Sequence, residues 1–432
     1  MQNKYRLMTL LNKRFITAVS FMCLITPNEV MAESITFAQL VEKSFEQNLG
    51  IKIKQQQKIV ELETESATFR KLFPSFRITS SRNEVLHNSN DAEREISFYS
   101  TNFELSQPLY QPALLANWRK SSLNKLHANW DHKGQIQSLF FQLKEAWFTF
   151  LTNQILYAES QEALIRLEQH KKNAEAFYKS GKIWRNDLLQ ASVRVSRGEQ
   201  DVFAAANRLA LSKATINLLL NQPIDDEINP VGSLQKVEFA KTLSQLQTKA
   251  INNRFELKQN KIAIELAQED AVIVRSKYKP SVDLTLSSGI RASDADYSDS
   301  ITENSIAINL SWNYGQWGQT AREIDAADAR LTVKQLELAQ QKSLIEFEVK
   351  SAFLSVKESE YSLKVSVEAL KQAEENYRVS QIRYQEQLGS ASDVLDAQDL
   401  LTQTVTNRIV SLNAYLTSIA KLSLVVGDSI KL

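Results

Sequence analysis

The sequence predicts a mainly α-helical chain with a small β part, built as two similar halves. Three observations predict this. Glycine occurs 10 times and proline 7 times in 432 residues, where average usage near 7% and 5% would give roughly 30 and 22. Turns are therefore few, which disfavours a doubly wound α/β enzyme and an all-β sandwich. After Pro112 the chain runs to Lys179 without another proline and with Gly134 as its sole glycine. Finally, many features recur at a fixed offset of 206 residues, the mark of an internal repeat.

Residues 1–32 read as a secretory signal. Lys4, Arg6, Lys13 and Arg14 precede the apolar stretch from Phe15 to Ile25, and Val30-Met31-Ala32 supplies a small-x-small cleavage site. That stretch is shorter than the roughly 20 residues needed to span a bilayer. Cys23 lies inside it; acylation there is the alternative, although Met22 is bulky where such a site wants a small residue. Cleavage after Ala32 leaves a mature chain without cysteine, so neither a disulfide framework nor a thiol nucleophile is available. It also takes the formal charge from +1 to −2, which offers no attraction to nucleic acid.

The repeats are expected at 33–230 and 231–432. In the first, a helix over 36–73 leads to strands at 74–86 and 97–110, a long helix over 112–180 and a helix over 187–220. In the second, a helix over 242–278 leads to strands at 280–290 and 303–314, a long helix over 318–387 and a helix over 393–425. Phe73-Pro74-Ser75 meets Lys279-Pro280-Ser281, Tyr178 meets Tyr384, and Asp187-Leu188-Leu189-Gln190-Ala191 meets Asp393-Val394-Leu395-Asp396-Ala397.

The long helices carry a heptad. Ile136, Leu143, Phe150, Tyr157 and Leu164 are seven apart, with Leu139, Ala146, Asn153, Ser160 and Leu167 interleaved. Small and polar members of that seam point to close, curved helix packing. Each shorter arm is about half as long as the long helix, so two arms stacked end to end match one long column.

The strand segments alternate. Val282, Leu284 and Leu286 interleave with Asp283, Thr285 and Ser287, and Ile306, Ile308, Leu310 and Trp312 with Ser305, Ala307, Asn309 and Ser311. Such dyad segments of roughly nine to eleven residues suit tilted transmembrane strands. Tyr110, Trp312, Tyr314 and Trp317 are placed for an interfacial aromatic girdle. Four strands cannot close a membrane barrel, and open edges are not tolerated in lipid. The chain must then oligomerise; three copies supply twelve strands and twelve helical columns.

Taken together, the duplicated helices, the Pro-started strands, the exit Leu105-Ser106-Gln107-Pro108-Leu109-Tyr110 and the turn Asp393-Val394-Leu395-Asp396-Ala397 resemble the TolC-type outer membrane efflux proteins, over about Ser34 to Gly427. The resemblance implies a homotrimeric channel-tunnel, a β-barrel in outer membrane lipid continued by an α-helical barrel across the periplasm. It implies an exit duct, not an enzyme, that docks a periplasmic adaptor protein and an inner-membrane transporter in an efflux pump or a type I secretion system. It further implies an acidic pore ring at Asp393 and Asp396, and a periplasmic gate to which Tyr384 and Asp187 belong. Gly389 stands where the family has an arginine, which leaves the ionic part of the gate open, with Arg383 or Arg185 as substitutes.

No cofactor or metal is expected. His87, His127, His132 and His170 lack the H-E-x-x-H spacing, and no P-loop or dinucleotide fingerprint occurs. The alternative reading is a soluble periplasmic coiled-coil structural or adaptor protein, although a lipoyl-type adaptor would carry more glycine and strands.

Overall fold

The computed structural model describes residues 34–84, 97–293 and 295–428. The signal segment with Cys23, the end of the first strand at 85–86 and His87 lie outside the described residues. The first half runs β1 (Ser34–Ile35), α1 (Phe37–Gln47), α2 (Leu49–Arg70), β2 (Ser75–Glu84), β3 (Ser97–Tyr110), α3 (Pro112–Lys179) and α4 (Arg185–Leu220). The second runs β4 (Asn229–Pro230), α5 (Leu243–Asn253), α6 (Phe255–Ser276), β5 (Ser281–Ala292), β6 (Ser300–Ser311), α7 (Gln319–Gln385) and α8 (Ala391–Val426).

Both arms differ from the single helices expected at 36–73 and 242–278, because each is broken into 11 and 22 residues. The break in the first falls at Asn48, whose Oδ1 accepts from Gly50 N at 2.9 Å and so caps α2. The break in the second falls at Arg254, with φ −58° and ψ 125°. The last strand also sits earlier than expected: β6 ends at Ser311, so Trp312, Tyr314 and Trp317 lie on the segment that leads to α7.

The offset of 206 residues reappears in the chemistry of the ends. Thr36 and Thr242 begin α1 and α5, with Gln39 Oε1 and Gln245 Oε1 accepting from their backbone amides. Asp187 accepts from Trp184 N at 3.2 Å and Asp393 from Ser390 N at 2.9 Å. Asn221 and Gly427 close α4 and α8 in the left-handed conformation. Asn48 Nδ2 donates to Leu219 O, and Arg254 donates from Nη1 to Val425 O, both at 3.0 Å.

The helices lie side by side in one layer. Toward the sheet the neighbours are α2 on α3, α3 on α6 and α6 on α7; toward the opposite end they are α4 on α3, α3 on α8 and α8 on α7. Ser44 Oγ and Asn48 Nδ2 both reach Leu219 O, so α4 ends where α1 and α2 meet and the two arms form one composite column. Lys120 to Asp270 and Lys277 to Glu323 pin neighbouring columns toward the sheet, and Lys54 to Asp131 does so closer to the break at Asn48. Gly134 lets α3 and α6 approach closely: a Cβ there would come within 2.7 Å of the Phe255 ring.

Apolar burial concentrates in a belt at mid-height. Leu40, Leu139, Leu143, Trp147, Phe150 and Ile216 form one cluster there, and Leu246, Ile345, Val349, Val356, Tyr415 and Leu416 form its counterpart. Leu139, Leu143, Ala146 and Phe150 of the heptad seam are buried, and Asn153 donates to Arg208 O across to α4. The short parallel pair of β1 with β4 closes the belt. The apolar stretch in α8 meets the length and hydropathy of a membrane span, yet it lies against α7 and α3.

The four long strands form one antiparallel sheet in the order β2-β3-β5-β6. Among the described residues it is open, with β2 and β6 as its edges and no closed barrel. Phe76, Leu105, Leu286 and Ile306 make a continuous cross-strand row on one face, flanked by Ile78, Phe103, Ile308 and Leu310. The other face carries rows such as Arg77, Glu104, Ser287 and Ser305. A register shift after Pro108 marks the strand exit, where proline has no amide to give the ladder.

Candidate functional site

Two regions carry chemistry: the turn end, where α3 meets α4 and α7 meets α8, and the sheet end with its aromatic flank. At the turn end Asp393 is the third residue of α8. Its carboxylate accepts from Ser390 N while its own amide donates to Ser390 Oγ, a reciprocal cap. Those hydrogen bonds from Ser390 hold the Asp393 carboxyl below the usual aspartate range. One turn on, Asp396 is exposed and lies 3.7 Å from Arg194 of α4, which also pairs with Asp399. Asp393, Asp396, Asp399 and Arg194 thus leave a net negative patch at the start of α8. Arg194, an unremarked helix residue in sequence, became visible only through packing.

Tyr384, near the end of α7, is 5% exposed. Its ring sits 5.3 Å from His170 and 5.6 Å from Phe177, both on α3, with Ala391 and Val394 of α8 beside it. Burial, with the charge of Asp187 second, pushes its hydroxyl above the usual tyrosine range. Tyr384 and Asp187 make no hydrogen bond to each other: the Tyr384 hydroxyl is buried without a partner, and Asp187 accepts from Trp184 N. His170 is likewise buried with Nε2 unpartnered, and burial lowers its pKa. Sequence reasoning set His170 aside for lack of metal spacing; its role in packing Tyr384 needed the α3–α7 juxtaposition.

At Gly389 a Cβ would lie 3.3 Å from Arg383 Cβ, so Arg383 stands over this position. Its guanidinium reaches Leu388 O at 3.4 Å, and its charge adds to the lowering of Asp393. Of the two arginine substitutes named from sequence, Arg383 is therefore near the acidic turn.

At the sheet end Tyr110, Trp312, Tyr314 and Trp317 are all exposed, Trp317 completely. Trp312 and Tyr314 pack edge to face at 5.3 Å, and Trp312 Nε1 donates to Tyr278 O at 3.1 Å. Rings with a polar handle tied to backbone and an apolar body in the open are suited to a boundary between water and hydrocarbon. Among the described residues no group of His, Cys, Asp and Glu is placed to hold a metal ion.

Residues 246–428 match the sequence model of the outer membrane efflux protein family. Among solved structures, the Campylobacter jejuni CmeC outer membrane channel superposes with a TM-score of 0.81 at 14% identity, over 90% of this chain and 85% of that one. The Vibrio cholerae outer membrane protein VceC gives 0.79 at 13% identity over 90% and 96%. The open state of the Neisseria gonorrhoeae MtrE outer membrane channel gives 0.76 at 16% identity over 90% and 88%. No curated protein matches the sequence significantly.

The single layer of long helices continued by an apolar-faced sheet is a fold this chain shares with those channels. The second half of this chain thus matches the outer membrane efflux protein family, and the chain as a whole shares the fold of the TolC-type channels, whose members lie in the outer membrane and extend into the periplasm.

Proposed function

We propose that three copies of this chain form a passive exit duct through the outer membrane, opened at its periplasmic end by an adaptor and an inner-membrane transporter. The observation that carries this reading is the pair of open edges. β2 follows α2 and β6 precedes α7, so the free sheet edges continue into the two outer helical columns. Those columns expose apolar side chains: Phe203, Leu211 and Leu218 on α4, and Leu336, Phe347 and Tyr361 on α7. A one-layer fold with unpaired ladders and apolar flanks cannot be at rest alone in lipid or water. Pairing β2 of one copy with β6 of the next, and α2 and α4 with the neighbour's α7, satisfies both flanks by one head-to-tail operation. Three such steps make a twelve-stranded barrel above twelve helical columns.

In that assembly the apolar row from Phe76 to Ile306 faces lipid and the aromatic flank marks the periplasmic interface. The turn end is then the gate. Asp393 and Asp396, repeated three times, give a ring that concentrates cations. Tyr384 closes by packing on His170 and Phe177, and the Arg194 pairs with Asp396 and Asp399 tie α4 to α8 where the family arginine is replaced by Gly389. Asp187 contributes through its charge and its cap rather than through a bond to Tyr384. The same chemistry serves drug efflux or type I secretion; the partner transporter selects the cargo and supplies the energy.

The test is the protein mass of the particle extracted from membranes in mild detergent, with bound detergent subtracted. Three chains are expected. A monomer, or release into buffer without detergent, refutes shared-barrel closure and favours a soluble coiled coil.

A further inference from the structure

We propose that Lys144, Lys241 and Lys249 form a binding site for an oxyanion, a carboxylate or phosphate group, at the belt of the helical region. The three ammonium groups come from α3, from the segment before α5 and from α5, and they line a cavity of about 330 Å³ bounded on its far side by α8. That volume falls in the range of small-molecule sites, roughly 300–1,000 Å³. One carboxylate, Asp428, answers two of the lysines: it lies 3.6 Å from Lys241 and in direct contact with Lys249. Lys144 has no carboxylate partner among the described residues. Its ammonium stands 4.5 Å over the Phe140 ring, and burial holds its pKa below the usual lysine value.

A half-buried cation without a counter-charge is costly. The Phe140 ring face offsets part of that cost but leaves the charge. Gln137 and Ser423 border the same cavity. Two excess positive charges beside neutral hydrogen-bonding groups, around open space, suit a small oxyanion and repel cations. Nothing in the channel reading uses these residues: the cavity lies at mid-height, remote from both the sheet and the turn end.

Isothermal titration calorimetry on the purified full-length protein in detergent tests the site. Inorganic phosphate and citrate are the probes, with sodium chloride at matched ionic strength as the blank. The expected result is saturable binding of one anion per chain, weakened at least tenfold by Lys144→Met, which keeps the aliphatic stem over Phe140. Because binding favours the charged ammonium, it also fades as pH rises toward the lysine range, and Lys144→Met removes the Lys144 part of that dependence. Stronger binding of citrate identifies a carboxylate ligand, and stronger binding of phosphate a phosphate ligand. No saturable heat above the chloride blank overturns the proposal, as does equal binding by the variant. Absence of binding also covers the case in which a neighbouring copy's carboxylate fills the cavity. Unchanged particle mass and helix content in Lys144→Met keep loss of fold from imitating loss of the site.

Discussion

Arg254 offers the sharpest test of how the helical layer holds its belt. It is 8% exposed and makes four contacts: Nε and Nη2 to Glu256 at 2.8 and 2.7 Å, and Nη1 to Glu348 and to Val425 O at 3.0 Å each. It therefore joins α6, α7 and the last turn of α8 at the break between α5 and α6. Removing one partner of a fully buried ion pair costs about 3–5 kcal/mol. Here Glu256 and Glu348 retain 26% and 35% exposure, so each stranded carboxylate can turn to water and the charge part falls to about 2 kcal/mol. The orphaned Val425 carbonyl adds about 1 kcal/mol. Arg254→Met should thus lower the local opening free energy by about 3 kcal/mol, or roughly 100-fold in hydrogen-exchange protection. The loss should be confined to the α5–α6 junction and the end of α8.

Asn48 supplies the matched comparison, because it does the same work at the same offset with a neutral amide. Asn48→Ala removes a cap and one hydrogen bond to Leu219 O, together about 1.5–2 kcal/mol, and leaves no charge stranded. Hydrogen exchange read by mass spectrometry on the assembled protein separates the two. A change under threefold for Arg254→Met, or an effect of Asn48→Ala that equals or exceeds it, refutes the account of the belt.

Two further outcomes are expected at the turn end. Asp393→Asn retains a side chain able to cap α8 but removes its charge, and Asp396→Asn leaves Arg194 paired with Asp399; together they should reduce cation selectivity and block by multivalent cations in planar bilayers. Unchanged selectivity removes the ring. The second outcome is pH dependence through His170, whose pKa burial lowers from 6.5. Its neutral form is the packed one, so its contribution is fully present above pH 6.5 and is lost as pH falls through the lowered value. Its ring packs on Tyr384 of α7, which itself feels the charge of Asp187 on α4, while Tyr377 of α7 feels that of Arg166. Hydrogen-exchange protection of the turn end should fall between pH 7.5 and 5 and become flat there in His170→Phe; a variant as pH-sensitive as the parent assigns the effect elsewhere.

The residues themselves determined the helices, the alternation of the strands and their repetition, because these are local matters. Scarce glycine and proline leave helix as the cheapest backbone state for long runs, Pro112 starts α3, and a period of two writes an apolar face onto β5 and β6 whatever they pair with. The break at Asn48 has a local cap through Gly50 N as well as its distant bond to Leu219 O, whereas the partners that hold Arg254 at the second break include Glu348 and Val425, far along the chain. Tertiary structure likewise decided that Tyr384 packs on His170 instead of bonding to Asp187, that Arg194 stands opposite Asp396, and that Lys144 borders a cavity whose one carboxylate, Asp428, pairs with the other two lysines. In each case the deciding term is burial or charge between groups on different helices, and a coiled-coil pattern fixes which face turns inward without fixing which neighbour meets it.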